Sequence, residues 1–178
     1  AAGDLVKRGH EVWIEKDAGV KSGFKDAQYT ALGVKIVQLT YNGQNHVGAS
    51  CYEEVDPGLS WFGREVVAEM NKHRVLIDLS HVGERTSFDS IERSGVPVAI
   101  THANPKFAKE ARRNKSDALI KALAARGGVI GVAVESGMLP GGARTTITEF
   151  CDMVAKLVEM VGVEHVGIGS DHNLDHSH

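Results

Sequence analysis

The sequence predicts an α/β fold built on a parallel sheet, and three observations carry that prediction. Short apolar runs recur along the chain, at Val34 to Thr40, Val75 to Leu79, Val98 to Ile100, Val129 to Val134 and Val166 to Ile168. Continuous runs of this length suit strands buried on both faces. Stretches with apolar residues at helical spacing separate them, and regular alternation of this kind means right-handed crossovers between parallel strands. Three of the runs also drive into chemically capable groups, His81, His102 and Asp171. In such architectures the chemistry gathers at the carboxyl ends of the strands. Two arrangements fit, an open doubly wound sheet or part of an eight-unit barrel. A complete barrel usually needs about 250 residues, and this chain has 178.

Composition narrows the function classes. With 42% hydrophobic and 24% charged residues the chain has the material for a packed core. A net charge of −3 gives no broad basic field, so nucleic acid is not an expected partner. No run reaches the roughly 18 to 20 apolar residues that a membrane helix requires. The start, Ala1-Ala2-Gly3-Asp4, lacks a basic-then-apolar leader pattern, so the expectation is a cytoplasmic protein without a transmembrane segment. Cys51 and Cys151 have no partner spacing and are expected to be reduced, structural thiols. The absence of an initiating methionine and the ending at Asp175-His176-Ser177-His178 lead us to expect both ends to be cut from something longer.

Taken in order, residues 5 to 8 close a helix before Gly9, and Glu11 to Glu15 alternates as a half-buried strand does. A loop through Ser22-Gly23-Phe24 leads into a short helix around Ala27 to Leu32. The words Gly9-His10-Glu11-Val12, Ala18-Gly19, Ser22-Gly23-Phe24 and Asp26-x-x-Tyr29 resemble the beginning of alanine dehydrogenases. That resemblance brings no catalytic residue, and no Gly-x-Gly-x-x-Gly fingerprint follows it. Residues 1–32 are therefore read as a separate alanine-dehydrogenase-like segment, and 33–178 as the (β/α) portion.

After the strand from Val34, the polar, turn-rich residues from Tyr41 to Gly58 form a loop. Phe62, Val66, Val67 and Met70 fall at helical spacing, with Lys72, His73 and Arg74 at the carboxyl end where cations are favoured. The strand leading to His81 follows, then a helix over about Ser87 to Arg93, stopped by Gly95 and Pro97. Beyond the strand to His102 lies a loop with Arg112-Arg113-Asn114. Ser116 then caps a helix whose Leu119, Ile120 and Leu123 point inward and which Gly127 closes. Thr146-x-x-Glu149 is a capping box opening a helix with Phe150, Val154, Leu157, Val158 and Val161 inward, and Gly162 ends it before the last strand.

One histidine at a strand end is ordinarily a hydrogen-bonded structural residue. Two at the ends of successive parallel strands, with an aspartate ending a later one, point further, because neighbouring strands lie only about 4.8 Å apart. Their tips can share one cation. Zinc accepts imidazole nitrogen and, in catalytic sites, keeps a position open for water, whose pKa it lowers towards about 7. Such a set suits amide hydrolysis, with Asp171 orienting the nucleophile or moving its proton.

Residues 33–178 resemble the renal (membrane) dipeptidase family, zinc peptidases of the amidohydrolase superfamily. The resemblance lies in Gly33-Val34-x-Ile36-x-Gln38-Leu39-Thr40-Tyr41-Asn42, Gly58-Leu59-Ser60-x-Phe62-Gly63, Leu76-Ile77-Asp78-Leu79-Ser80-His81-Val82, Ile100-Thr101-His102-Ala103-Asn104, Ala111-Arg112-Arg113-Asn114 and Val166-Gly167-Ile168-Gly169-Ser170-Asp171. It implies a TIM-barrel-like fold, here an incomplete barrel of about five to six strands, a binuclear zinc site and dipeptide substrates. Residue by residue, it implies that His81 and His102 are metal ligands, Arg113 binds the substrate carboxylate and Asp171 handles the proton. Tyr41 stands where many members carry a substrate-binding histidine.

The departures are as informative. The family's first-strand His-x-Asp pair and bridging glutamate should precede Gly33, where no His-x-Asp occurs. The chain is therefore expected to keep ligands for at most one zinc, and Glu11 and Glu15 are read as surface residues. His46 is read as a solvated loop histidine, and the histidine-rich tail of His172, His176 and His178 as a frayed terminus rather than an adventitious metal site. A barrel short of strands exposes sheet edges that invite association, so a homo-oligomer stays open. Beside the dipeptidase reading stand a noncatalytic α/β module and, on residues 9–29 alone, a relation to amino-acid dehydrogenases.

Overall fold

The structure is a computed structural model that describes residues 33–171. The readings for the alanine-dehydrogenase-like segment, Glu11, Glu15 and the terminal histidines lie outside the described residues. Backbone contacts divide the chain into two compact units, Ala1–Val98 and Ala99–His178.

In the first unit, β1 (Ile36–Gln38) leads through the long loop to α1 (Trp61–Lys72), then β2 (Leu76–Asp78) and α2 (Glu84–Arg93). β1 and β2 pair in parallel, with Ile36 opposite Leu76 and Gln38 opposite Asp78. Ser60 caps α1, its hydroxyl accepting from the Gly63 amide, a role the sequence reading did not assign to it. Val66, Val67 and Met70 form the buried stripe, but Phe62 is 39% exposed and Gly63 takes the inward position instead. The reason is room: a β-carbon at Gly63 would run into the Val47 carbonyl.

α2 starts three residues earlier than expected. Gly83 occupies its N-cap without a side chain to offer, and the Asp56 carboxylate from the preceding loop takes over the capping role. It accepts from the Thr86 amide at 3.0 Å and from the Thr86 hydroxyl at 2.6 Å. A remote acceptor of this kind leaves no local signal in residues 83 to 87. The inward face of α2 is Thr86, Ser87, Ser90 and Ile91, mostly small hydroxyls whose polar atoms are satisfied internally, as Ser90 is by the Thr86 carbonyl at 2.7 Å.

In the second unit, β3 (Ala99–Ile100), α3 (Asp117–Ala125), β4 (Val129–Val132), α4 (Ile147–Val161) and β5 (Val166–Ile168) follow in order. β3 pairs with β4 and β4 with β5, all parallel. Ser116 caps α3 through the Leu119 amide, and Leu119, Ile120 and Leu123 are buried as expected. The capping box of α4 is formed, with Thr146 and Glu149 each accepting from the other's backbone. Its inward stripe differs from the expectation: Met153 and Leu157 are buried, while Phe150, Val154, Val158 and Val161 are only half-buried. The fifteen-residue helix packs against β5 and α3. Each fully buried aliphatic side chain contributes about 1.5 to 3 kcal/mol relative to exposure.

Cys51 is half-buried and Cys151 exposed, so Cys151 is not the structural thiol it was read as. No helix among the described residues is long and apolar enough to cross a membrane.

Candidate active site

His81 owes its place to the turn that follows β2. Asp78 is buried, and its Oδ1 accepts from the Ser80 amide at 3.1 Å and the Ser80 hydroxyl at 2.6 Å, bending the chain directly after the strand. The loop from Thr40 then closes over the histidine. Cys51 N–H donates to the His81 carbonyl at 2.8 Å, and Ser50 bridges Val82 in antiparallel fashion. The His81 ring, in a residue only 3% exposed, meets Asn42 Oδ1 at 2.8 Å through Nδ1 and the Tyr41 ring at 4.3 Å between centroids. Tyr41 itself is half in solvent at 51%. His46 is exposed, as expected, and its carbonyl accepts from Ser60 Oγ.

The second unit assembles the other named residues. His102 follows β3, with Nδ1 2.8 Å from Thr101 Oγ1. Its Nε2 lies 3.9 Å from Asp171 Oδ1. Arg113 Nη2 donates to the His102 carbonyl at 3.2 Å and stands 4.0 Å from Asp171 Oδ2. An imidazole, a guanidinium and a carboxylate thus meet at the ends of β3 and β5. The gaps to Asp171, 3.9 and 4.0 Å, are too long for direct hydrogen bonds and short enough for charge attraction. Arg113 is largely buried, and its Nε has no hydrogen-bond partner. The guanidinium therefore has unused donor capacity beside a carboxylate that balances its charge. Arg112, its neighbour, is exposed.

Three features that hold this cluster escaped the sequence reading. Gly131 and Gly169 flank the Thr101 carbonyl so closely that a β-carbon on either would collide with it. A glycine inside a strand pattern is the available signal for such an approach. Asn104, fully buried, acts as an extra piece of ladder. Its Oδ1 accepts from the Ala133 amide at 2.9 Å, and its Nδ2 donates to the Ala133 carbonyl at 3.0 Å. The ladder runs past the formal strand ends, with Val134 N–H donating to the Ser170 carbonyl at 3.1 Å, and Asp171 follows in a left-handed conformation at φ 55°.

In both histidines Nδ1 is engaged by a neighbouring oxygen, the usual orientation of a ring that binds metal through Nε2. One by one, the imidazoles suit zinc. Among the described residues, however, no group of three or more histidine, cysteine or carboxylate side chains is arranged to hold a metal.

The family model of the membrane dipeptidases, peptidase family M19, matches residues 25–176. The chain belongs to the membrane dipeptidase family. An uncharacterized dipeptidase of Schizosaccharomyces pombe is 35% identical over 150 residues, which are 81% of this chain and 36% of that protein. Among solved structures, an amidohydrolase from Pseudomonas aeruginosa superposes with a TM-score of 0.83 at 36% identity, covering 99% of this chain and 62% of that one. A metallopeptidase from Rhodobacter sphaeroides, liganded with a phosphinate mimic of the dipeptide L-Ala-D-Ala, shares the fold with a TM-score of 0.78 at 23% identity. It covers 96% of this chain and 59% of that one. The fold is thus the parallel, TIM-barrel-like α/β fold of the membrane dipeptidases, of which the described residues carry five strands. The chain spans about a third of the length of the fission-yeast relative.

Proposed function

We propose that this membrane dipeptidase chain carries the substrate-carboxylate and proton-handling part of a zinc-dependent dipeptidase. The observation that carries the reading is the meeting of His102, Arg113 and Asp171 within about 4 Å of one another at strand ends. Arg113 binds the free carboxylate of a dipeptide through the end of its guanidinium, whose Nη2 stands beside Asp171. Tyr41 offers an exposed aromatic face to the substrate. Asp171 holds and passes the proton at Oδ1, the oxygen nearer His102 Nε2. His81 and His102 are the metal ligands this chain contributes, each through Nε2. When bound, zinc supplies a water acidic enough to act at neutral pH.

The test combines calorimetric zinc titration with chromatographic assay of dipeptide hydrolysis. Zinc binding that is lost in both His81→Ala and His102→Ala supports the ligand assignment. Hydrolysis that falls at least a hundredfold in Asp171→Asn, while Arg113→Ala mainly raises KM, supports the other two roles. A second reading, a noncatalytic α/β module, is favoured by the missing three-ligand group among the described residues. Weak zinc binding that neither histidine variant changes, together with no hydrolysis, decides for that reading.

A further inference from the structure

We infer that Asn42 is a positioning residue that fixes the tautomer of the His81 imidazole. The inference rests on the reading of His81 as a metal ligand only for its consequence, not for its geometry. His81 is buried, and buried polar atoms demand partners. The loop from Thr40 to Cys51 supplies several of them. Its carbonyl accepts from Cys51 N–H at 2.8 Å and from the Thr40 hydroxyl at 3.5 Å. Its ring packs against Tyr41, and its Nδ1 lies 2.8 Å from Asn42 Oδ1.

The last contact decides the proton's place. An amide oxygen only accepts, so the hydrogen of that bond resides on Nδ1. A neutral imidazole carries one N–H, and the lone pair therefore falls on Nε2, the nitrogen a metal would use. His102 lacks an equivalent constraint from Thr101, because a hydroxyl both donates and accepts and suits either tautomer. Asn42 is thus a chemical instruction where Thr101 is only a contact. Asn42 is also exposed, so replacing it leaves the core of the first unit undisturbed.

The experiment uses the full chain labelled with nitrogen-15, and reads the His81 ring by multiple-bond proton–nitrogen correlation at about pH 8, where an ordinary histidine is neutral. His81→Ala assigns the resonance. The expected wild-type spectrum shows Nδ1 protonated and Nε2 bare. Asn42→Ala loses that single tautomer, and Asn42→Asp, which retains an acceptor oxygen, restores it. A wild-type ring protonated on Nε2, or an Asn42→Ala ring unchanged from wild type, overturns the inference. Calorimetry with zinc chloride on the same proteins separates the two readings. Asn42→Ala is expected to bind zinc about 10 to 100 times more weakly, the usual cost of losing such a partner, and Asn42→Asp no more weakly than wild type. The tautomer result without any wild-type zinc binding leaves Asn42 as the positioning residue and removes the metal reading. Zinc binding with a tautomer indifferent to Asn42 does the reverse.

Discussion

His81 and His102 occupy equivalent positions after β2 and β3, yet they are held in different ways. His81 is deep, 3% exposed, and its ring is tied by side chains from a loop some forty residues away in sequence. His102 has 21% of its side chain exposed and takes its Nδ1 partner from the adjacent residue. What fixes His102 is chiefly backbone, the Thr101 carbonyl between two glycines, with the Asn104 side chain completing the β4 ladder beside it. A loop can be exchanged side chain by side chain, whereas a backbone approach tolerates no added atom. The two halves of the candidate chemistry should therefore fail differently.

The strongest way to break the comparison is Gly169→Ala. The new methyl meets the Thr101 carbonyl, and overpacking against backbone should cost about 3 kcal/mol or more. Urea unfolding should show the loss, and hydrogen exchange should show it first in the amides of β3, β4 and β5. A wild-type midpoint would mean that His102 is not held by this approach. Next in size is Asn104→Ala, which strands the buried Ala133 amide and carbonyl and should cost about 2 kcal/mol in the same measurement.

On the His81 side the corresponding change is smaller. Asp56→Ala removes the remote cap of α2, worth about 1 kcal/mol, and thermal unfolding followed by circular dichroism should register it. A loss as large as that of Gly169→Ala would erase the distinction between the two sides. The smallest effect is a pH dependence away from both histidines. Backbone and side-chain hydrogen bonds from Thr146 hold the Glu149 carboxyl below the ordinary glutamate range. A depressed folded-state value stabilises the protein above the ordinary value and loses that contribution as pH falls through the folded one. Glu149 is fully exposed, so the slope is shallow. Comparing acid titrations of wild type and Glu149→Gln by circular dichroism should show a slightly steeper acid loss for wild type.

Much of this was legible beforehand for physical reasons. Period and caps depend on near neighbours, so Ser116 and the Thr146–Glu149 box marked helix starts correctly. His102, Arg113 and Asp171 were nameable because each sits in a distinctive short word, and the structure brings these three together. What stayed hidden acts across distance. Asp56 caps a helix thirty residues on, and Asn42 reaches a ring thirty-nine residues away. The α4 stripe was misread because which of its apolar residues are buried depends on where β5 and α3 pack against it, a fact that belongs to neighbours and not to the helix itself.

The backbone of Asp171 sets the terms on which its chemistry can be interrogated. At φ 55° it occupies a region that aspartate and asparagine visit readily and most other residues do not. Exchanging it for asparagine removes the negative charge while keeping a side chain comfortable in that geometry. Alanine or glutamate would confound a change of charge with a change of shape, so the informative probe of this position is the one that alters a single atom's chemistry.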